Sequence, residues 1–107
     1  MKGTYTHPDG FTFNVKLNSV IPKLLFTTGV TIGSTIYFKK GYQPRARLLC
    51  HETRHLQQYR WYGTASFLWQ YVFSSSFRER MEVEASLWAT QRWTEDWITA
   101  IVADLKT

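Results

Sequence analysis

Residues 45–62 read RARLLCHETRHLQQYRWY, and all of them are compatible with one continuous helix. A helix turns by about 100° per residue, so His51 and His55, four positions apart, lie about 40° from each other on one face. Two neutral imidazoles in this arrangement can bind a single Zn²⁺ at roughly 2.0–2.1 Å each. The H-E-x-x-H motif at 51–55 therefore predicts a zinc site on a helix.

Glu52 occupies the second position of the motif, about 100° round the helix from His51. A carboxylate at this position can reach a zinc-bound water without displacing it. Zinc lowers the pKa of that water to about 7, and the carboxylate can take its proton and later pass it to a leaving amine. The motif thus indicates a zinc-dependent hydrolase, and first of all a peptidase, with Glu52 as general base.

The motif fixes only three residues, so two histidines and a glutamate on a solvated helix face are a simple alternative. The flanking residues argue against that alternative, because apolar side chains occur on more than one side of the helix. They are Leu48, Tyr59 and Tyr62 on the His51 side, and Leu49, Leu56 and Trp61 elsewhere. Such a helix is usually buried, and buried imidazoles and carboxylates need partners such as a metal ion.

The composition predicts one domain, residues 1–107, with a formal charge of +5 and an aromatic content of 17%. A basic and aromatic chain can bind nucleic acid, but the basic residues here are scattered, and we expect no nucleic-acid partner. We interpret the charge mainly as a source of solubility. Contact with an acidic partner or a membrane surface stays open.

Cys50 is the only cysteine, so no internal disulfide can form, which fits a reducing compartment. It lies about 100° from His51 on the helix, and we expect a buried apolar thiol rather than a ligand. The first residues lack the apolar run of a signal peptide, and no segment approaches the ~20 apolar residues of a membrane span. We therefore expect a cytoplasmic protein, with signal-less export as the alternative.

The N-terminal part of the chain has the pattern of strands. Phe11, Phe13, Val15 and Leu17 alternate with polar residues after a turn dipeptide, which predicts a half-buried strand. The apolar run 24–28 is a candidate second strand. Residues 30–38 are rich in β-branched side chains and predict a further strand, kinked or bulged at Gly33.

The C-terminal part predicts helices. The motif helix should end at Gly63, and Thr64 or Ser66 can cap a second helix that runs to about residue 73. Ser76 is a candidate cap for one long helix over residues 77–105, which contain no glycine or proline. Together these elements predict an α+β fold with a small antiparallel or mixed sheet packed on the motif helix and on the long C-terminal helix.

A third metal ligand must come from outside the motif. Position 58 is glutamine and position 61 is tryptophan, which excludes the extended motif H-E-x-x-H-x-x-G-x-x-H, and no histidine follows His55. A glutamate from the later helix is the remaining common solution. The candidates are Glu79, Glu82, Glu84 and Glu95.

Helix geometry favours Glu82. Its face also carries the small and aromatic residues Ala85, Ala89 and Trp93, as a face packed on a neighbouring helix would. A carboxylate on such a face is costly to bury unless it is paired or bound to metal. An ion pair with Arg78 is the alternative to a metal.

Glu84 falls on the other side of the helix, beside Arg80, on a face that looks solvated. An exposed pair between these two residues is worth at most about 0.5 kcal/mol. We therefore expect Glu84 to contribute little to metal affinity. Glu79 shares the face of Glu82 one turn earlier and is the reserve candidate.

The motif at 51–55, followed by Glu82-x-x-Ala85, resembles the gluzincin pattern of zinc metallopeptidases, which includes thermolysin. More closely, the chain resembles small bacterial and phage-encoded proteins of minimal gluzincin type over about residues 30–88. The similar runs are HLQQY at 55–59, FLWQY at 67–71 and EVEA at 82–85. The resemblance implies a zincin-like fold in which an edge strand, here residues 30–38, aligns an extended substrate.

The chain departs from the family pattern in several places. Thr53 stands where an apolar residue usually follows the motif glutamate, and Ser86 stands where an aspartate often steadies the first histidine. No downstream histidine or tyrosine is identifiable as the group that stabilises the oxyanion. Tyr37, Tyr59 or an arginine could serve.

The sequence thus predicts a zincin-like zinc peptidase that acts on a peptide or protein. His51, His55 and Glu82 would bind Zn²⁺, and Glu52 would be the base. The second hypothesis is a catalytically weak or inactive zinc-binding relative that holds a partner with its basic, aromatic surface. A third, a basic domain acting on nucleic acid, requires a basic stripe that the sequence lacks.

Overall fold

A mixed four-stranded sheet forms one layer of the computed structural model, which describes residues 3–25 and 27–106. Its strands are β1 (Thr4–Thr6), β2 (Thr12–Ser19), β3 (Gly29–Ile32) and β4 (Thr35–Lys39). Their order is β1-β2-β4-β3, with β2 and β4 parallel and the two outer strands antiparallel to their neighbours. The predicted α+β class and mixed sheet are confirmed, and β3 is an edge strand.

The predicted alternation in β2 is also confirmed. Phe13 and Val15 are buried and belong to the same core as Ile36 and Phe38 of β4. Parallel pairing places Val15 beside Ile36. Because side chains alternate between the faces of a strand, these apolar residues give the sheet one face that the helices cover.

The prediction of one bulged strand over residues 30–38 is wrong. Gly33 has a φ of +64° and lies in a tight turn, so β3 and β4 form an antiparallel hairpin. Glycine suits this turn because L side chains rarely adopt positive φ. The candidate strand at 24–28 is wrong for its described residues, since a short helix, α1 (Ile21–Leu24), ends there; Phe26 lies outside the described residues.

Four longer helices follow the sheet. They are α2 (Ala46–Tyr62), α3 (Thr64–Phe73), α4 (Ser75–Arg92) and α5 (Asp96–Leu105). The predicted motif helix is confirmed as α2, and it ends at Gly63, which has a φ of +83°. The cap of α4 is Ser74 rather than Ser76, because the Ser74 hydroxyl accepts a hydrogen bond from the Phe77 N–H.

The prediction of a single long C-terminal helix is wrong, because residues 93–95 separate α4 from α5. The side chain of Glu95 accepts hydrogen bonds from Arg92 at 3.0 Å and from the Trp97 indole at 2.8 Å. The backbone of Glu95 is extended. Side-chain hydrogen bonds of this local kind compete with the helical ladder, and they end α4 without a glycine or proline.

The helix α2 lies between two apolar layers. One side contributes Leu49, Cys50 and Leu56 to the core shared with the sheet and α5. The other side contributes Tyr59 to a second cluster with Phe67 of α3 and residues of α4. This burial on two sides is what its sequence predicts. Within the described ranges, no helix combines the length and apolar content that crossing a membrane requires.

Leu49→Ala should lower the free energy of unfolding by about 2–5 kcal/mol, because it removes a side chain with no exposed surface from the main core. Leu87→Ala removes the same atoms from a side chain that is 61% exposed, and should cost at most about 0.5 kcal/mol. Urea unfolding followed by circular dichroism measures the free energy of unfolding of both variants. Equal losses would contradict this placement of the core.

Candidate metal centre

Two imidazoles meet on the side of α2 that contacts α4. His51 and His55 are one helical turn apart, and their Nε2 atoms are 3.1 Å from each other. His55 is buried, with 6% of its surface exposed, while His51 is partly exposed. The four-residue spacing thus brings two potential nitrogen ligands to one point, as predicted.

Glu82 reaches the same point from α4. Its Oε1 lies 3.3 Å from His51 Nε2, and its Oε2 lies 2.9 Å from His55 Nε2. Ligand atoms arranged tetrahedrally at roughly 2.0–2.1 Å from zinc are about 3.3 Å apart. The three side chains therefore bring two nitrogens and a carboxylate within the distances that separate the ligands of one metal ion.

Glu52 lies beside this set. Potential ligand atoms of His51, Glu52 and His55 all lie within 4.8 Å of one another, so these three residues could hold a metal ion. The Glu52 carboxylate, however, is engaged by Thr31 of β3, whose hydroxyl donates to its Oε1 at 2.7 Å. Glu82, by contrast, contacts the Nε2 atoms of both imidazoles.

The charges at the site are strongly coupled. Burial alone would raise the pKa of Glu82, but hydrogen bonds with His51, His55 and Tyr71 hold it well below its ordinary range. Burial disfavours protonated His55, yet its hydrogen bond with Glu82 and the charge of Glu52 raise its pKa. A site that attracts protons in this way has the negative potential that a divalent cation requires, and protons and metal compete for it.

Tyr71 of α3 belongs to the site, although the sequence analysis did not single it out. Its hydroxyl donates to Glu82 Oε2 at 2.8 Å, and its ring stacks on Phe67 at a centroid distance of 5.6 Å. The two residues are four apart and share the buried face of α3. That spacing is the signal in the sequence that could have identified Tyr71 as an inward-facing phenol.

The two tyrosines named from the sequence as possible oxyanion donors lie elsewhere. The Tyr59 hydroxyl is buried and donates to the Thr31 carbonyl at 2.9 Å. Tyr37 alternates along β4 with Ile36 and Phe38, which face the helices. Its side chain therefore points to the opposite face of the sheet.

Both departures from the gluzincin pattern have a structural counterpart. The Ser86 hydroxyl lies 3.4 Å from His51 Nδ1 and so contacts the first histidine without adding a charge. Thr53 is fully buried, and its hydroxyl donates to the Cys50 carbonyl at 2.7 Å. Cys50 itself lies in the main core, where burial raises the pKa of its thiol to about 11, as a packing role predicts.

Glu84 is partly exposed, as predicted, but its predicted pairing with Arg80 is wrong. Glu84 accepts hydrogen bonds from Arg54 Nε at 2.9 Å and from Gln58 Nε2 at 2.6 Å. Burial would raise the pKa of Glu84, but these two partners hold it below its ordinary value. The guanidinium of Arg80 lies over the Phe77 ring instead. The helical wheel of α4 could not reveal this, because both partners of Glu84 come from α2.

The remaining candidates for the third ligand are placed away from the imidazoles. Glu79 is exposed, and Glu95 is bound to Arg92 and Trp97 at the start of α5. Arg78, the alternative partner considered for Glu82, donates to the Tyr71 carbonyl at 2.7 Å.

The comparisons with known proteins give no match: no protein-family model, no curated protein and no solved structure is significantly similar to this chain. The family resemblance therefore rests on the motif and on the residues that surround it. The structural evidence that bears on function is the arrangement of His51, Glu52, His55 and Glu82.

Proposed function

We propose that this protein is a zinc-dependent metallopeptidase of gluzincin type. The observation that carries the proposal is the convergence of His51, His55 and Glu82, whose ligand atoms lie 2.9–3.3 Å apart, with Glu52 beside them. Two nitrogens and one carboxylate from two helices are a donor set that zinc prefers, and three protein ligands are typical of a catalytic site.

Each residue has a distinct role in this proposal. His51, His55 and Glu82 would hold the ion, and Tyr71 orients the Glu82 carboxylate through its hydroxyl. A bound zinc ion would supply a Lewis acid that acidifies water and polarises a peptide carbonyl. Glu52 takes the proton of the attacking water and returns it to the leaving amine.

Thr31 supports the role of Glu52. Its hydroxyl donates to Glu52 Oε1 at 2.7 Å, and the same oxygen lies 3.1 Å from the backbone carbonyl oxygen of Glu52. This contact fixes the carboxylate in one orientation next to the imidazoles. A base held in place before the substrate arrives needs no reorganisation during proton transfer.

The position of β3 supports a peptide as the substrate. It is an edge strand of the described sheet, and Thr31 on it touches Glu52. An extended peptide that paired with this edge would pass next to the carboxylate. The Tyr59 hydroxyl already engages the Thr31 carbonyl, so the pairing would use other backbone groups of the strand.

A second function, a zinc-stabilised module that binds a partner with little or no catalysis, is favoured by one feature of α3. This helix contains no charged residue, and Trp69, Val72 and Phe73 on it are 68%, 60% and 70% exposed. Exposed aromatic and aliphatic side chains that lie close together often mark an interaction surface. Peptide hydrolysis by the zinc-loaded protein distinguishes the two functions, since only the peptidase would show it.

The wild-type protein should bind one Zn²⁺ per chain, and Glu82→Gln should weaken binding by more than about 100-fold. We expect this loss to exceed the roughly 10–100-fold that loss of a supporting partner costs, because a ligand is removed. Glu79→Gln makes the same charge change at an exposed position of α4 and should leave the affinity unchanged. Competition with a chelator measures the zinc affinity of all three proteins.

Two outcomes would contradict this metal site. One is a wild-type protein without zinc affinity, and the other is equal affinity in Glu82→Gln and the wild type. His55→Ala provides an independent check, because it removes one of the two nitrogens and should abolish stoichiometric binding.

Glu52→Gln should keep zinc but lose about 10²–10⁴ in the rate of peptide hydrolysis, the usual contribution of a positioned general base. The glutamine can still accept the Thr31 hydrogen bond, so the fold should persist. A peptide library incubated with zinc-loaded protein measures the rate, with Glu79→Gln as the matched control. A wild-type protein that binds zinc yet cleaves no peptide would favour the binding module.

A further inference from the structure

A chain of hydrogen bonds leads away from His55 on the side opposite to the metal site. The Nδ1 of His55 lies 2.7 Å from Gln58 Oε1. The Nε2 of Gln58 donates to Glu84 Oε1 at 2.6 Å and to the Met81 carbonyl at 3.1 Å. Gln58 has no exposed surface, so its amide must satisfy its hydrogen bonds with these neighbours.

The neighbours of Gln58 determine how its amide is oriented. A carboxylate and a carbonyl can only accept, so the NH₂ group must face Glu84 and Met81. The amide oxygen then faces His55, and because it cannot donate, the proton of that hydrogen bond belongs to Nδ1 of the imidazole. With Nδ1 keeping its proton, Nε2, which faces Glu82 and His51, is the ring nitrogen left to give up a proton and bind a metal ion.

We propose that Gln58, held by Glu84, is a positioning residue that fixes His55 in the Nδ1–H tautomer and so keeps its Nε2 ready to bind metal. This inference rests on the proposed metal site and assigns to Gln58 and Glu84 a function in it. Partners of this kind orient metal-binding histidines and raise their basicity. Here the amide of Gln58 contacts the imidazole ring of His55, and the negative charge of Glu84 contacts that amide rather than the ring.

Arg54 fixes Glu84, the last residue of this series of hydrogen bonds. Its Nε and a terminal nitrogen both donate to Glu84 Oε2, and its guanidinium carbon lies 4.5 Å and 3.9 Å from the ring centroids of Trp61 and Trp88. Cation–π contacts and a two-point ion pair give this arginine little freedom. Glu84 therefore cannot turn away from Gln58 without losing Arg54.

The arrangement has a specific weakness that an experiment can use. In Glu84→Gln, the new amide must place its oxygen toward Arg54, because an NH₂ group there would face another donor. Its NH₂ group then faces Gln58, which favours a flipped Gln58 amide. A flipped Gln58 presents NH₂ to His55, and the ring responds by moving its proton to Nε2, the atom that the metal needs.

Glu84→Gln should accordingly weaken zinc binding by about 10–100-fold and shift neutral, metal-free His55 toward the Nε2–H tautomer. Chelator competition measures the first effect. Long-range ¹H–¹⁵N NMR of the imidazoles, at a pH where the rings are neutral, measures the second. Glu79→Gln, with the same charge change on the same helix, should alter neither.

A double variant tests the orientation itself. The double variant combines Gln58→Glu with Glu84→Gln. Its carboxylate at position 58 can accept hydrogen bonds from His55 and from the new amide at position 84. The oxygen of that amide still accepts a hydrogen bond from Arg54. The double variant has the same total charge as the wild type, because the carboxylate lost at position 84 is regained at position 58. We expect the Nδ1–H tautomer to return and zinc affinity to recover in part, since the Met81 carbonyl loses its donor.

The proposal is overturned if Glu84→Gln keeps both the Nδ1–H tautomer and the wild-type zinc affinity, or if the double variant binds zinc no better than the single one. Gln58→Met, which removes the hydrogen bonds but keeps the length of the side chain, should also lose affinity, and its circular dichroism shows whether the fold persists. If the wild type binds no zinc, the proposed function fails, whereas the tautomer measurement still decides the role of Gln58.

Discussion

The rest of the structure depends on the burial of a helix that carries polar residues. Glu52, Thr53, His55, Gln57 and Gln58 of α2 are all buried, and a buried polar group without a partner destabilises the fold. Glu52 is paired with Thr31 of β3, and Thr53 with the backbone of α2. His55 is paired with Glu82 of α4, Gln58 with Glu84 of α4, and Gln57 with Asp9 near the N-terminus. The contacts that satisfy α2 therefore fix the neighbouring elements around it.

Local patterns predicted much of this arrangement. The four-residue spacing of His51 and His55 and the glycine after Tyr62 are properties of one helix, and the structure has both as expected. Helix geometry also placed Glu82 on the face of α4 that carries the buried Ala85 and Ala89, although 41% of the Glu82 side chain is exposed. Periodicity works well where one element decides the outcome.

The predictions failed where the outcome depends on atoms from two elements or on one backbone angle. A β-branched run with a glycine fits a bulge and a hairpin equally well, and only the turn at Gly33 decides between them. The end of α4 depends on how Glu95 bonds to Arg92 and Trp97. The partner of Glu84 could not be predicted from α4 alone, because Arg54 is thirty residues earlier in the chain.

The distribution of the proposed metal ligands along the chain has a consequence for biosynthesis. His51 and His55 emerge from the ribosome well before Glu82, and Tyr71 and Glu82 come from the two helices that follow α2. A nascent chain that ends before α4 would contain the motif but not Glu82, the proposed third ligand. Zinc capture would then accompany the docking of α4 on α2, and its binding free energy would add to the stability of that late contact.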